Sequence, residues 1–407
     1  MRSYRRAAAA ISLVTGALIA AAAHAQSPPT DGATPGAGST PASGATPGAG
    51  ATTDPASGAT PGAGATTGPA SGSSLLNPNI SVIGWFQGTA GDQNDEEGSA
   101  AFELREAELG FQAMVDPYSR ADFFVAVSPE EGVDLEEGTL TFLALPAGFT
   151  GKLGKFRSNF GKFNRTHPPE TPFADRPLAT ERFLGEEGLA VVGLSASWLA
   201  PLPFYLNLDG EVSTTPDAGE SPAFEAYRGK DLLYLGRASA YFDLSEATNL
   251  TLGASVANGA DGPDSSSAQG PDVPALRATL VGADLTFRWK DPRRAIYRSF
   301  LAQGEWMSRR ASVDVGPDET VYGGFAYVDL QFARRWHAGA RADWCETLED
   351  PTAAAQTGVL GFLTFNPSEF ASLSLQVRDQ TSGDGDLGPV FFFKTTFSIG
   401  PHGQHPF

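Results

Sequence analysis

The chain has 407 residues, enough for two or three soluble domains or one large closed barrel, and its 47 acidic against 28 basic residues give a formal net charge of −19. A single cysteine excludes a disulfide scaffold and a metal site built from several thiolates, and five histidines argue against an extended histidine cluster. The acid excess argues against nucleic-acid binding, because phosphate contacts need a basic face.

The N-terminus has the pattern of a secretory signal peptide. Arg2, Arg5 and Arg6 precede an apolar stretch from Ala7 to Ala23, and Ala23-His24-Ala25 supplies the small residues of a cleavage site. The pattern predicts a signal peptide over residues 1–25 and a mature chain that begins at Gln26. A retained membrane anchor is the alternative, but the apolar stretch is short for a span.

Residues 26–74 are a repetitive stretch made almost wholly of Ala, Gly, Thr, Ser and Pro. Gly32–Ser43, Gly44–Ser57 and Gly58–Ser71 each open with Gly-Ala-Thr-Pro-Gly-Ala-Gly and close with Pro-Ala-Ser. Such a composition cannot fill a core, and it predicts a disordered periplasmic tether.

From residue 75 onwards, short segments of alternating polar and apolar residues are separated by turn residues, which is typical of β-strands. A strand of about ten residues plus a connection suits a transmembrane barrel. The alternation predicts sixteen strands, at 80–89, 100–115, 120–128, 133–144, 149–157, 188–199, 204–214, 231–244, 249–258, 275–290, 297–308, 320–333, 336–346, 356–366, 370–379 and 389–400.

The predicted connections alternate between short and long. Short connections such as Asp116-Pro-Tyr-Ser and Arg334-Arg335 alternate along the chain with long ones such as 158–187 and 380–388. The connection 129–132 is the exception, because it is short at a position where a long one is expected. Outer-membrane barrels have short periplasmic turns and longer external loops. The sequence therefore predicts an all-β transmembrane antiparallel barrel over residues 75–407, located in a Gram-negative-type outer membrane.

The faces of single strands agree with this interpretation. In 336–346, Trp336 and Trp344 end an apolar face that opposes Arg341 and Asp343, as expected for aromatic girdles at the two interfaces. The uncharged run Gly188–Leu208 also satisfies the length of a membrane helix. However, Pro201 and Pro203 interrupt it, which favours two strands joined by a turn.

Several stretches resemble the phosphate-selective porin O/P family of outer-membrane channels. They are Leu104-Arg-Glu-Ala-Glu-Leu-Gly-Phe111 with Asp116-Pro-Tyr118, Gly151-Lys-Leu-Gly-Lys-Phe-Arg157 with Phe160-Gly-Lys162, and Arg176-Pro-Leu178 with Gly185-Glu-Glu-Gly-Leu189. The resemblance implies a sixteen-stranded diffusion channel whose third external loop folds into the lumen, often as a homotrimer. Phosphate preference in that family depends on a basic ladder, whereas the charges predicted to face this lumen are mixed.

Two sets of charged residues are the candidate site. The predicted channel constriction comprises Lys155, Arg157, Lys162, Arg165, Arg176 and Arg182, offset by the acidic Glu170, Asp175 and Glu186. The predicted lumen wall comprises Glu106, Glu108, Asp209, Glu211, Arg237, Arg288, Arg341, Asp343, Arg378 and Lys394. Fixed charges select ions by sign in a narrow pore, so a mixed set predicts weak selectivity. Alternatively, part of these charges pair with one another as braces of the wall.

The sequence thus predicts a passive channel for small hydrophilic solutes or ions, with anions such as phosphate among the candidates. Outer-membrane lipid, lipopolysaccharide and the other copies of a homotrimer are the expected partners, and no cofactor or metal is indicated. No Gly-x-Ser-x-Gly elbow marks a catalytic serine, so an enzyme is not expected. The alternative is a structural anchor or surface adhesin whose acidic loops contact a partner.

Overall fold

The computed structural model describes residues 78–91, 102–130, 132–217, 220–226, 231–262, 276–312, 317–348, 354–382 and 385–400. The predicted signal peptide (1–25) and the predicted tether (26–74) lie outside these ranges and remain predictions.

Within the described ranges the chain forms sixteen strands that close into a barrel. Neighbouring strands pair antiparallel, and β1 pairs with β16, for example Val82 with Ile399. The strands are β1 (Asn79–Gly91), β2 (Phe102–Asp116), β3 (Ser119–Ser128), β4 (Gly132–Phe142), β5 (Phe149–Arg157), β6 (Ala190–Leu199), β7 (Tyr205–Thr214), β8 (Leu232–Ser245), β9 (Thr248–Ala260), β10 (Arg277–Lys290), β11 (Ser299–Ala311), β12 (Glu319–Ala333), β13 (Trp336–Cys345), β14 (Gln356–Ser368), β15 (Ala371–Ser382) and β16 (Gly385–Ile399).

The predicted barrel is confirmed, and each predicted segment corresponds to one of these strands. The run Gly188–Leu208 forms β6, a turn and the start of β7, and no helix in the described residues is long and apolar enough to cross a membrane. The prediction of a long loop at 380–388 is wrong. Thr381 pairs with Asp386, so β15 and β16 extend almost to their connection. Its Gly and Asp residues have the composition of a loop, but inter-strand hydrogen bonds override that local preference.

Polar and apolar side chains separate between the two faces of the wall. On β7, Asp209 and Glu211 are buried, whereas Leu208 and Val212 on the opposite face are exposed. The same separation recurs on β13, where Arg341 is buried and both terminal tryptophans are exposed. This arrangement is the reverse of a soluble sandwich. An apolar outer face suits lipid, and a polar inner face suits a lumen.

The lumen is filled in large part by the connection between β5 and β6, residues 158–189, which we call loop L3. It contains two 3₁₀ turns, Phe163–Arg165 and Pro168–Glu170, and one short helix, α1 (Leu178–Leu184). One apolar cluster packs α1 and Phe160 against the inner wall, and a second packs Phe163 and Phe173 against β12 and β14. A sixteen-stranded barrel is too wide for its own side chains to fill, so L3 supplies the core.

Substitution of Phe173 tests this packing. Its fully buried ring meets Tyr327 edge-on at 5.0 Å and Phe362 at 5.9 Å. Phe173→Ala should destabilise the protein by about 3–5 kcal/mol, because it leaves a cavity that the barrel cannot close. The temperature at which the folded form loses its compact electrophoretic mobility should fall. Phe370→Ala, in the exposed β14–β15 connection, should leave that temperature nearly unchanged.

Candidate functional site

Two buried glutamates of the wall hold the first part of L3. The carboxylate of Glu211 on β7 accepts hydrogen bonds from the Ser158 hydroxyl and from the Asn159 backbone N–H, the latter at 3.0 Å. The carboxylate of Glu305 on β11 accepts the backbone N–H groups of Lys162 and Phe163 at 2.8 and 2.6 Å. These contacts carry the chain across the lumen within a few residues.

Gly161 is required at this crossing. Its φ is +63°, and a Cβ atom there would lie 2.4 Å from the Glu305 carboxylate. Both the backbone conformation and the space therefore favour glycine over any other residue.

Four charged residues fasten the middle of L3 to strands β13 and β15, which we call the far wall. Arg341 on β13 donates from Nε to Asp343 at 2.7 Å and lies 3.0 Å from the Asp175 carboxylate of L3. Arg378 on β15 also pairs with Asp175, at 2.7 Å. The guanidinium of Arg341 lies over the Phe173 ring, with 4.5 Å to its centroid. These residues of the predicted constriction and wall lie together as a brace.

Lys394 on β16 holds the same stretch through backbone carbonyls. Its Nζ donates to the carbonyl oxygens of Thr171 and Phe173, both at 2.8 Å, and to that of Pro168 at 3.1 Å. An ammonium has three donors, and all of them point at L3. On β15, Gln376 accepts the Ala174 N–H at 2.9 Å and donates to the Pro172 carbonyl at 3.0 Å.

A second charged cluster fastens L3 to strands β2, β4 and β5, which we call the near wall. We call this group of residues the near-wall cluster. Arg157, at the end of β5, pairs with the carboxylates of Glu136 and Glu187. His167 of L3 lies 2.8 Å from Glu136, 3.0 Å from Glu137 and 3.0 Å from Glu108 on β2. Burial and the charge of Arg157 act to lower the pKa of His167, but the surrounding carboxylates outweigh both and hold it well above its usual range.

A β-bulge creates this near-wall cluster. Phe124 pairs with Glu137, whereas Val125 pairs with Leu135, so Glu136 is an extra residue on β4. Both glutamates are consequently buried on the lumen side. Strict alternation places only one of two adjacent residues inside, so the alternation did not indicate this pair. The adjacent acidic residues before Gly138 were the available signal.

The other predicted constriction residues are dispersed. Lys155 lies 3.4 Å from Asp134, the Lys162 ammonium donates to Thr286 at 3.2 Å, and Arg182 donates to Gln356 at 3.1 Å. Glu170 is half-buried, and Glu186 is exposed. These residues therefore do not form a single ring.

Arg176 is enclosed within L3. It lies over the Phe163 ring at 5.8 Å, and its three side-chain nitrogens have no hydrogen-bond partner in the described part of the chain. Burial, followed by the charge of Arg157, lowers the pKa of Arg176 to about 10. Burial, followed by Arg288 on β10, lowers the pKa of Lys162 to about 8.

Two wall residues of the predicted lumen set have contrasting surroundings. Arg237 on β8 forms a two-point contact with Asp284 on β10, at 2.7 and 3.0 Å. Arg288 is half-buried and has no carboxylate within 4.0 Å among the described residues. Glu106 is buried on β2, beside the near-wall cluster.

Beside the first part of L3, a cavity of about 480 Å³ remains against strands β2 to β7. Its lining is polar, with Thr139, Thr150, Ser195, Ser197 and Asn207 among the residues. The charged residues of its lining are Arg120, Lys152, Arg157, Arg165, Asp122, Glu137, Asp209 and Glu211. This cavity therefore lies to one side of the lumen, opposite the ion pairs of Arg341 on β13.

The carboxylates of this cavity are already bound within the protein. Asp122 accepts from Arg120 at 2.9 Å, Asp209 accepts from Asn207 at 2.9 Å, and Glu137 and Glu211 make the contacts with L3 described above. Lys152 and Arg165, in contrast, have no carboxylate within 4.0 Å in the described ranges. Arg165 donates to Asn159 at 3.0 Å, and burial followed by Arg237 lowers its pKa. The lining thus has as many carboxylates as cations, and Lys152 and Arg165 are its cations that no carboxylate contact engages in the described ranges.

Comparison with known proteins identifies a relative by sequence. An uncharacterized protein of Aquifex aeolicus (strain VF5) is 33% identical over 352 residues, which cover 78% of this chain and 72% of the relative. The chain belongs to the same family as this Aquifex protein. No family model matches the chain, so membership of the phosphate-selective porin O/P family is not confirmed.

Solved structures share the fold at low sequence identity. OprB of Pseudomonas putida matches with a TM-score of 0.53 and 9% identity, over 79% of this chain and 94% of that one. The anion-selective porin of Comamonas acidovorans matches with 0.52 and 10%, over 79% and 100%. The outer-membrane channel DcaP of Acinetobacter baumannii matches with 0.50 and 12%, over 79% and 96%. The chain therefore has a porin-like fold and is a multi-pass barrel of a Gram-negative-type outer membrane.

Proposed function

We propose that the protein is a passive diffusion channel for small hydrophilic solutes, with a weak preference for anions. The observation that carries this proposal is the polar cavity beside L3, whose carboxylates are bound within the protein while Lys152 and Arg165 are not paired with any in the described ranges. Fixed positive charge in a narrow aqueous path raises the local concentration of anions. The anion selectivity named for the Comamonas porin, which has a similar fold, is in keeping with this preference.

The chemistry of transport requires no catalytic group or cofactor. A solute passes when polar side chains replace part of its hydration and release it again. Among anions, phosphate and small carboxylates are the candidates, because both accept hydrogen bonds from lysine and arginine. The resemblance to the porin O/P family supports assembly as a homotrimer in lipid and lipopolysaccharide.

Reconstitution into a planar bilayer tests the channel function. The purified protein should produce discrete single-channel current steps in potassium chloride, and its reversal potential in a salt gradient should have the sign of modest anion preference. A structural anchor or adhesin, whose lumen L3 would plug completely, should be silent. Silence of folded, inserted protein would refute the channel, and mass measurement in detergent would test the trimer.

A further inference from the structure

The near-wall cluster brings three ligand-type atoms together. His167 Nδ1 lies 3.0 Å from Glu108 Oε2 and 2.8 Å from Glu136 Oε2. The side chains are 0%, 1% and 5% exposed, respectively, and the three atoms lie within 4.8 Å of one another. They come from L3, β2 and β4, so the cluster joins the loop to two strands of the wall.

A single proton cannot satisfy this arrangement. Nδ1 carries at most one hydrogen, yet it faces two carboxylate oxygens. In the structure that nitrogen is hydrogen-bonded to Glu136, and Glu108 Oε2 has no hydrogen-bond donor within the described part of the chain. Oε1 of the neighbouring Glu106 also lacks one. Two buried carboxylate oxygens thus share one ring nitrogen, and a buried oxygen that lacks a full hydrogen bond is costly. A cation between these oxygens and the imidazole nitrogen would remove that cost.

The surrounding contacts are those of a metal ligand set. The other ring nitrogen, Nε2, lies 3.0 Å from Glu137 Oε1, and this contact favours the tautomer in which Nε2 carries the hydrogen and Nδ1 presents its lone pair. The second oxygen of Glu136 is held by Arg157, and the Phe124 ring packs against the imidazole at 5.2 Å. A carboxylate that accepts from the other ring nitrogen of a ligating histidine is the usual second layer of such sites.

We propose that Glu108, Glu136 and His167 bind one divalent transition-metal ion that fastens L3 to the near wall. One imidazole nitrogen with two carboxylate oxygens suits Zn²⁺, which accepts both ligand types in a tetrahedral site with water or a further carboxylate. Ligand atoms of such a site are about 3.3 Å apart when the metal–ligand distances are about 2.0 Å. The two spacings from His167 Nδ1, 3.0 and 2.8 Å, therefore need to open by only a few tenths of an ångström.

The charge balance supports a divalent ion rather than an anion. Four buried carboxylates meet here, on Glu106, Glu108, Glu136 and Glu137, and the structure places Arg157 among them. Arg157 leaves three of these four negative charges uncompensated and also pairs with Glu187, so a divalent ion that displaces the proton of His167 lowers the negative charge of the cluster. Because this site uses only one of the five histidines, the number of histidines did not indicate a metal site.

Zinc binding to the full-length protein tests the proposal. Protein purified in detergent and stripped with a chelator should bind one equivalent of Zn²⁺ in a calorimetric titration. Glu108→Gln and His167→Gln should each lose that equivalent. Glu137→Gln replaces the charged acceptor of Nε2–H by a neutral amide oxygen, and should weaken binding about 10- to 100-fold.

His337→Gln is the matched control. His337 also lies beside a carboxylate, 3.0 Å from Asp329, but on a partly exposed part of the wall, and this variant should keep the full equivalent. Glu108→Gln is nearly isosteric, so it decides the result if His167→Gln fails to fold. No stoichiometric zinc in the wild type, or undiminished binding in folded Glu108→Gln protein, would overturn the metal site. Neither result depends on whether the barrel conducts.

Discussion

Replacing Arg341 by leucine should detach L3 from the far wall and lower the stability of the barrel by about 3–5 kcal/mol. Arg341 is almost fully buried and is paired with both Asp175 and Asp343. Removing one member of a buried ionic network leaves the others charged without compensation, and that cost exceeds the loss of the contact itself. The loss of the cation over the Phe173 ring adds to it.

Two measurements should report this change. Circular dichroism in detergent should show a lower unfolding temperature, and planar-bilayer recordings should show larger and more variable current steps as L3 leaves part of the lumen. The double variant Arg341→Leu with Asp343→Leu should recover part of the stability, because it removes the stranded carboxylate on β13 while Arg378 still pairs with Asp175.

The control for this experiment is Arg310→Leu. Arg310 pairs with Asp318 at 2.9 Å, but its side chain is 68% exposed. Exposed ion pairs contribute about 0–1 kcal/mol, so stability and current should hardly change. An Arg341 variant that behaves like this control would mean that the brace does not hold L3.

The barrel could be predicted from the sequence because its signals are local. Alternating side chains on strands such as β7 and β13 define two faces, and turn residues mark the ends of strands. The number of strands and the longest connection follow from those signals alone. The failure at 380–388 has the same origin, because the pairing of β15 with β16 depends on a partner strand and not on the composition of the segment itself.

The partners of the charged residues could not be predicted in this way. Arg341 meets Asp175 across 166 positions of sequence, and Lys394 meets Thr171 across 223. Such pairings depend on the path of L3 through the lumen, which no periodic pattern encodes. A face assignment alone cannot distinguish a charge that lines a water-filled path from one that braces a loop.

Lys152 and His167 illustrate the remaining gap. β5 carries glycine at 151 and 154, so its alternation is weak and did not identify Lys152 as a lining residue. His167 lies between Thr166 and two prolines, in a stretch without periodicity. Both were visible only once the bulge at Glu136 and the fold of L3 had defined the cavity and the near-wall cluster.

If ions pass through the cavity beside L3, the charges that line it should set the ion selectivity of the channel. Reversing both of its cations that lack a carboxylate partner in the described ranges, in Lys152→Glu with Arg165→Glu, should shift the reversal potential in a salt gradient toward cations. Reversing one charge about 7 Å from a permeating ion changes its energy by about 1 kcal/mol at the dielectric constant of water. The two together amount to about 2 kcal/mol and should change the relative permeability by about tenfold or more at low salt, and by less at high salt, where the charges are screened.

Controls separate this effect from a general change in charge. Arg277→Glu with Arg310→Glu adds the same negative charge at exposed positions on β10 and β11, and should leave the reversal potential nearly unchanged. Lys155→Glu should also have little effect, because Lys155 does not line the cavity and already pairs with Asp134. If Lys155→Glu shifts selectivity as strongly as the Lys152 and Arg165 pair, ions pass nearer to Asp134, and the cavity beside L3 is not their route.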